Sequence, residues 1–124
     1  MEQDVHLGAL CRMRSERHLD TVMIHLYGEF DLECEEPFLE ELGRTLDSDT
    51  STLILDLQAL EFMDSTGLRM LVSLDNLARS DGFDFTVFCG NGLVRRVLNQ
   101  TGLDGVLSVV DRSGVVPATD SLVP

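Results

Sequence analysis

A strand pattern followed at once by a helical pattern, near the middle of the chain, constrains the fold most. Residues 53–57 read Leu-Ile-Leu-Asp-Leu, a run that is apolar except for Asp56 and is typical of an interior strand. Over residues 68–79 the apolar side chains recur at the three- and four-residue spacing of an amphipathic helix. These patterns predict a strand-to-helix unit, and the junction that opens its helix reads Asp64-Ser65-Thr66-Gly67.

The junction places a hydroxyl side chain at the start of a helix. We expect either Asp64 or Ser65 to be the residue that caps this helix. The first N–H groups of a helix lack partners inside it, and the helix dipole is positive at this end, so a phosphate group is favoured there. The local structure would therefore tolerate phosphorylation of Ser65, although a serine at a helix start is usually only a cap.

The rest of the chain alternates between strand and helix patterns. Residues 7–13 and 21–27 alternate apolar and polar side chains and are predicted to form an antiparallel pair, separated by the polar residues 15–20. The further elements predicted from periodicity are a helix over 32–47, a helix over 65–80, a strand over 83–88, a third helix around Leu93, Val94, Val97 and Leu98 that ends near Gly102, and a last strand or helix over 106–110.

This order of elements predicts the fold class. We expect a single α/β domain over residues 1–112, with a mixed sheet, an N-terminal antiparallel pair and helices packed against the sheet. Residues 113–124 are predicted to be a loosely ordered C-terminal tail. The 124 residues suffice for one domain that folds without disulfides, because a chain of this size buries roughly two-thirds of its unfolded surface.

Charge limits the class of partner. The chain has 22 acidic and 9 basic residues and a formal net charge of −13, which argues against nucleic acid and against an anionic membrane as partners. The same charge is compatible with simple solubility or with a match to a basic protein. No apolar stretch approaches the ~18 residues of a spanning helix, and the acidic first residues are unlike a signal peptide. We therefore expect a cytoplasmic protein.

The cysteines indicate neither a disulfide framework nor a metal site. Cys11, Cys34 and Cys89 are odd in number, widely spaced and without a C-x-x-C pair. We expect buried or half-buried free thiols, and no metal.

Patterns typical of enzymes are also missing from the sequence. Ser65 does not lie in a G-x-S-x-G motif, no Walker motif is present, and residues 90–92 lack the rest of a dinucleotide fingerprint. His25 lies within an apolar strand, where we expect a packed or surface-facing imidazole rather than a general base. The chain contains no lysine, which excludes a receiver domain phosphorylated on aspartate. We expect no catalytic residue and no cofactor.

Two motifs resemble landmarks of a known family. The run Asp64-Ser65-Thr66-Gly67-Leu68 after an apolar strand resembles the signature of the STAS domain, in particular of bacterial anti-sigma factor antagonists. The run Gly28-Glu29-Phe30-Asp31 is similar to the second landmark of that family, which ends an early strand. The order and spacing of the landmarks extend from about Leu7 to about Val110, and the resemblance implies the same mixed-sheet α/β fold.

The resemblance implies a binding module that phosphorylation switches. The acceptor in this family is the hydroxyl residue directly after the aspartate, which corresponds to Ser65. Thr66 is expected to be a minor acceptor, because its β-branched side chain should face inward. The unphosphorylated form would bind an anti-sigma factor of serine-kinase type and release a sigma factor, a serine phosphatase would restore this form, and weak homodimers are possible. Alternatives are an interaction module of another signalling complex and a small-ligand-binding domain.

The partner-binding surface is expected around the junction, with Asp31 near the phosphorylation loop by resemblance. Met70, Leu71, Leu74, Leu77 and Ala78 form one broad apolar stripe on the helix, which is predicted to face the core. Leu68 and Val72 fall on another side and are predicted to form an exposed apolar patch beside Ser65, with a wider core contact as the alternative. The predicted partner-binding residues are Asp31, Asp64, Ser65, Thr66, Gly67, Leu68 and Val72.

Overall fold

Seven strands form one mixed sheet in the structure, a computed structural model that describes residues 2–110 of the chain. The strands are β1 (Glu2–His6), β2 (Cys11–His18), β3 (Thr21–Phe30), β4 (Thr52–Asp56), β5 (Leu60–Met63), β6 (Asp84–Phe88) and β7 (Val109–Val110). The helices are α1 (Leu32–Thr45), α2 (Ser65–Asp81) and α3 (Leu93–Thr101), and a 3-10 turn spans Leu103–Gly105. The predicted tail, and with it the boundary between domain and tail, lies outside the described residues.

The sheet has the order β1-β2-β3-β4-β6-β7, with β5 beside the far end of β3. β2 is antiparallel to both of its neighbours, β1 and β3, and the remaining pairs are parallel. β3 therefore has two parallel partners in succession, since Thr21 to His25 pair with β4 and Gly28 to Phe30 pair with β5. The predicted mixed α/β sheet with an antiparallel N-terminal start is confirmed.

Gly28 lies where β3 changes partner. Its φ of 95° is in the left-handed region that favours glycine, and a Cβ built there would lie 2.0 Å from the carbonyl oxygen of Leu10. The register of β3 against β5 also shifts between Gly28 and Glu29. The glycine of the second landmark is thus required by backbone geometry and close packing.

The core lies on one face of the sheet, under the three helices. Because strand side chains alternate, every second residue of β3 points into this core, whereas α1 and α2 contribute residues three and four apart. The members of this core include Ile24, Leu26, Phe30, Phe38, Leu53, Leu55, Leu71, Leu74, Val87 and Leu98. The rings of Phe30 and Phe38 pack edge to face with their centroids 5.7 Å apart, which joins α1 to the end of β3.

The predicted antiparallel pair is confirmed, but the bounds of its first strand are wrong. β2 runs over Cys11–His18, and the turn is only Leu19-Asp20. The polar residues 15–18 continue the strand because Ser15 is small enough to be buried and because Arg17 has partners at the end of α1 and in the loop that follows. Its guanidinium donates to the carbonyl of Thr45 at 3.1 Å and to the hydroxyl of Thr50 at 2.9 Å.

The helix predictions hold to within a few residues. α1 ends at Thr45 rather than at 47, because Leu46 leaves the helix to pack against the core. α2 ends at Asp81, followed by Gly82 in the left-handed conformation, whose N–H donates to the carbonyl of Ala78 at 2.8 Å. α3 ends before Gly102 as predicted, and the end of residues 106–110 forms the short strand β7.

Two strands were not predicted. β5 has the burial order buried, exposed, exposed, buried, which breaks the two-residue alternation that identifies a strand. β1 has the sequence Glu-Gln-Asp-Val-His, whose polarity resembles that of a loop. Both strands exist because β3 and β2 provide open edges for backbone hydrogen bonds.

The three cysteines are free and buried, as expected. Within residues 2–110, no helix is both long and apolar enough to cross a membrane.

Candidate functional site at the start of the second helix

Two aspartates end neighbouring parallel strands and start the two long helices. Phe30 of β3 pairs with Met63 of β5, and the N–H of Asp64 donates to the carbonyl of Phe30 at 3.2 Å. Asp31 and Asp64 directly follow this pair, and parallel strands are about 4.8 Å apart. The sheet thus brings the two family landmarks seen in the sequence to one edge.

Asp64, not Ser65, is the cap of α2. Its backbone is extended, and its carboxylate accepts a hydrogen bond from the N–H of Thr66 at 2.9 Å. Ser65 is the first residue of the helix and its side chain is exposed. Within residues 2–110 its hydroxyl makes no hydrogen bond, so this oxygen is available for modification without loss of a structural contact.

The next two residues are buried, as was expected for Thr66. Thr66 is only 4% exposed, so its hydroxyl is far less accessible than that of Ser65. Gly67 faces β5, and a Cβ built there would lie 2.5 Å from Cγ of Met63. The glycine allows α2 to begin directly against the strand that precedes it, which fixes the position of Ser65.

Asp31 caps α1 in the same manner. Its carboxylate accepts from the N–H of Glu33 at 3.1 Å, and the thiol of Cys34 donates to the same oxygen at 3.4 Å. Burial raises the pKa of Cys34, and burial with the neighbouring Cys34 raises the pKa of Cys11 to about 12. Both thiols therefore stay protonated at neutral pH, and they support the Asp31 loop as neutral groups.

The model of the STAS domain family matches residues 12–115 of this chain. The chain belongs to the STAS domain family. Its relatives include the anti-sigma F factor antagonist of Paenibacillus polymyxa, which is 25% identical over 101 residues, covering 81% of this chain and 86% of that protein. The anti-sigma-F factor antagonist RsfB of Mycobacterium tuberculosis is 28% identical over 87 residues, 70% of each chain.

The fold of this STAS domain also matches solved structures. The anti-sigma factor antagonist SpoIIAA in its unphosphorylated form superposes with a TM-score of 0.71, covering 90% of this chain and 99% of that chain at 20% identity. At that identity the likeness shows a shared fold.

Several exposed apolar side chains lie near Ser65 or Asp31 along the chain of this STAS domain. Val72 is 36% exposed two turns along α2, whereas Leu68 is half-buried and packs against the core. Leu68 therefore widens the core contact, and Val72 is the exposed member of that predicted pair. Two further side chains are exposed. Leu32, which directly follows Asp31, is 66% exposed, and Phe62, which closely precedes Ser65, is 42% exposed.

Leu32 and Phe62 were missed by sequence reasoning. Leu32 starts α1, and Phe62 lies in the unpredicted strand β5 opposite Glu29. The available signal was the contrast between a large apolar side chain and its polar neighbours, since Phe62 follows Glu61 and Leu32 follows Asp31. Leu32 adds apolar surface at the start of α1, and Phe62 adds apolar surface on the strand that leads into Ser65.

Acidic side chains share this edge. Glu29, Asp31 and Glu33 surround the start of α1, and Glu61 and Asp64 precede Ser65. The edge therefore carries more acidic than basic side chains, and a further anion at Ser65 adds to this negative charge, offset by the positive end of the α2 dipole and by Arg69, which is exposed one turn further along α2.

His25 lies on the sheet face opposite the core and takes no part in this site. Its Nδ1 is 2.8 Å from a carboxylate oxygen of Asp56, and its Nε2 is 2.8 Å from one of Glu16. Because carboxylates occupy both ring nitrogens, neither nitrogen is available to activate a serine. The hydrogen bonds to Asp56 and Glu16 raise the pKa of His25, and they outweigh the opposing effect of burial. The packed imidazole expected from the sequence is what the structure has.

Proposed function

We propose that this STAS domain is an anti-sigma factor antagonist, which in its unphosphorylated form binds an anti-sigma factor and so releases a sigma factor. The relatives that carry this name support the proposal. The observation that carries it is the exposed hydroxyl of Ser65, which starts α2 beside two capping aspartates and makes no hydrogen bond within residues 2–110.

The switch is phosphorylation of Ser65 by a serine kinase, with Thr66 only a minor acceptor because its hydroxyl is buried. A phosphate adds about −1.5 to −2 charges. At the start of a helix an anion is worth roughly 0.3–1 kcal/mol in the favourable direction, so folding is not the target of the switch. The phosphate instead acts on the interface, because its charge must lose water when a partner covers the surface.

The partner-binding surface combines the predicted residues with the two that the structure adds. Asp31, Asp64 and Ser65 supply polar contacts, and Val72, Leu32 and Phe62 supply apolar contact area. Thr66, Gly67 and Leu68 hold the helix start in place rather than reaching the partner, because Thr66 and Gly67 are buried and Leu68 packs against the core. Exposed apolar side chains among several carboxylates and one arginine, Arg69, fit a partner surface that is apolar at its centre and mainly basic at its rim.

The remaining components follow from the switch. We propose that the anti-sigma factor is itself the serine kinase, that a serine phosphatase restores the binding form, and that all three act in the cytoplasm, where sigma factors meet RNA polymerase. The nucleotide belongs to the kinase.

Affinity capture with the unmodified full chain tests this function. The bound protein is identified by mass spectrometry, ATP is then added, and the intact mass of the STAS domain is measured. We expect a nucleotide-binding anti-sigma factor that ATP releases as Ser65 gains one phosphate. A partner without relation to sigma factors would instead make the protein an interaction module of another signalling complex.

Two serine variants assign the acceptor. Ser65→Ala should still capture the partner, should gain no phosphate and should unfold with a free energy within about 0.5 kcal/mol of the unchanged protein, the usual range for surface substitutions. Ser73→Ala, which changes another exposed serine of α2, is the matched control and should gain phosphate normally. If Ser65→Ala gained phosphate at an unchanged rate, Ser65 would not be the acceptor and Thr66 would be favoured.

A further inference from the structure

A groove of about 570 Å³ lies between the C-terminal turns of the two long helices, α1 and α2. Its walls are apolar side chains from α1, from α2 and from the residue that precedes β6, together with polar residues of the loop that follows α1, Asp47, Ser48 and Thr50. Its lining residues include Leu39, Leu42, Leu46, Leu77, Phe83 and, at the rim, Asp81.

The groove corrects one prediction from the sequence. Leu77 was assigned to the core stripe of α2, but it is 39% exposed, and Leu39 across the groove is 47% exposed. Both side chains face a space that no described residue fills. The amphipathic pattern was therefore read correctly, but one apolar flank of α2 faces this groove rather than the packed core.

The groove is separate from the Ser65 surface. Leu77 is twelve residues and Asp81 sixteen residues along α2 from Ser65, which is about 18 and 24 Å at the helical rise. An interface of ordinary size covers about 800 Å² on each partner, a disc of roughly 16 Å radius. Val72 and Leu77 also point about 140° apart around the helix axis. A partner centred on Ser65 thus leaves the groove uncovered.

The charges around the groove are acidic. Asp47 is neutralised by Arg17, with 3.2 Å between guanidinium nitrogen and carboxylate oxygen, and Arg44 and Arg79 pair with carboxylates of their own helices, Glu41 at 2.6 Å and Asp75 at 2.9 Å. Asp81, by contrast, makes no ion pair within the described range.

The outer ridge of α1 adds to this charge. Glu36 and Glu40 lie on the ridge that carries Gly43 and, within residues 2–110, neither makes an ion pair. The rim therefore keeps net negative charge, on a chain that is itself at −13.

We propose that this groove docks a basic amphipathic helix of a protein partner, at the same time as the Ser65 surface holds its own partner. Apolar side chains three and four residues apart on that helix would fill the space between Leu39 and Leu77, and its lysines or arginines would face Asp81 and the glutamates of α1. An open groove with such exposed walls suits an elongated segment. Small-molecule sites bury most of their ligand's surface, and these walls do not enclose one.

A pair of synthetic helical peptides tests the proposal on the full chain. One peptide carries leucine and lysine at amphipathic spacing, and the other carries leucine and glutamate. Backbone amide shifts of the ¹⁵N-labelled protein are followed during titration. We expect the lysine peptide to bind with shifts concentrated around Leu39, Gly43, Leu77 and Asp81, and the glutamate peptide not to bind. No binding of the lysine peptide, or shifts spread over all acidic surfaces, overturns the proposal.

Matched variants sharpen the result. Leu77→Gln should weaken binding of the lysine peptide by about tenfold, as expected for loss of one buried leucine side chain. Asp81→Asn should weaken binding of the same peptide by roughly two- to fivefold. Leu93→Gln on α3, where the leucine is 42% exposed, is the control and should change nothing. Thermal melts establish that each variant is folded. If Leu93→Gln weakened peptide binding equally, the attraction would be non-specific and the proposal for the groove would be overturned.

Two further outcomes would assign other occupants. If the protein sediments as a dimer that Leu77→Gln abolishes, a second copy covers the groove and the proposal fails. If an alkylammonium ion shifts the groove residues and the lysine peptide does not, the site takes a small cation and the proposal also fails. Ser65→Asp should leave peptide binding unchanged, so the groove and the Ser65 switch can fail or stand separately.

Discussion

Asp31 and Asp64 cap two different helices from adjacent positions on one sheet edge. The pairing of Phe30 with Met63 places them side by side, and each carboxylate accepts the N–H of the residue two positions further on, at 3.1 and 2.9 Å. One edge therefore orients both helix starts, and the exposed Ser65 lies where the two meet. This arrangement brings two motifs that are more than thirty residues apart in the chain to one edge of the sheet.

An acidic residue at position 65 should separate binding from folding. In Ser65→Asp the carboxylate lies at the positive end of α2 and should raise the free energy of unfolding by roughly 0.3–1 kcal/mol. Partner affinity, measured by isothermal titration calorimetry, should fall, because the anion must be desolvated beside Asp64 and Glu61. Normal binding by the fully phosphorylated protein would show that the switch lies elsewhere.

The two apolar sides of α2 should respond differently to charge. Val72→Asp is expected to weaken partner binding by tenfold or more with little change in thermal stability, because Val72 is exposed. Leu74→Asp should unfold the domain, because Leu74 is buried in the core and an unpaired carboxylate there costs several kcal/mol. Circular dichroism melts and calorimetry measure the two effects. Unfolding by Val72→Asp would assign that residue to the core.

Two glycines in helices should give stability changes of opposite sign. Gly67→Ala places a methyl group 2.5 Å from Met63 Cγ and is expected to cost about 1–3 kcal/mol by overpacking. Gly43→Ala in α1 meets nothing within 4 Å and should stabilise by up to about 1 kcal/mol through helix propensity. Chemical denaturation measures both. A harmless Gly67→Ala would mean that Met63 moves aside freely.

The carboxylates around His25 should make stability depend on pH. Because the pKa of His25 is raised above 6.5 in the folded protein, its contribution is fully present below pH 6.5 and is lost as pH rises through the folded pKa. His25→Gln should flatten this decline in a series of denaturation curves. The same decline in His25→Gln would assign the pH dependence to another group.

The ends of α2 were readable from sequence because each is fixed locally, by a capping aspartate at one end and by Gly82 at the other. β5 was not readable, because its four residues are held by pairing with β3, a partner more than thirty residues away. The same limit applies to the site. Ser65 and its caps follow from the motif, whereas the exposure of Leu32 and Phe62 depends on how the strands and helices come together.

Asp64 caps α2 and Ser65 would accept the phosphate, and this separation of roles bears on how fast the switch can respond. Asp64 holds the first turn of α2, and Ser65 makes no hydrogen bond within residues 2–110. A phosphoryl group could then arrive and leave without any helix melting or re-forming. No slow structural relaxation would separate the two states of such a switch. Its response would be limited only by the rates at which the kinase adds the phosphate and the phosphatase removes it. Repeated cycles would leave the fold unchanged.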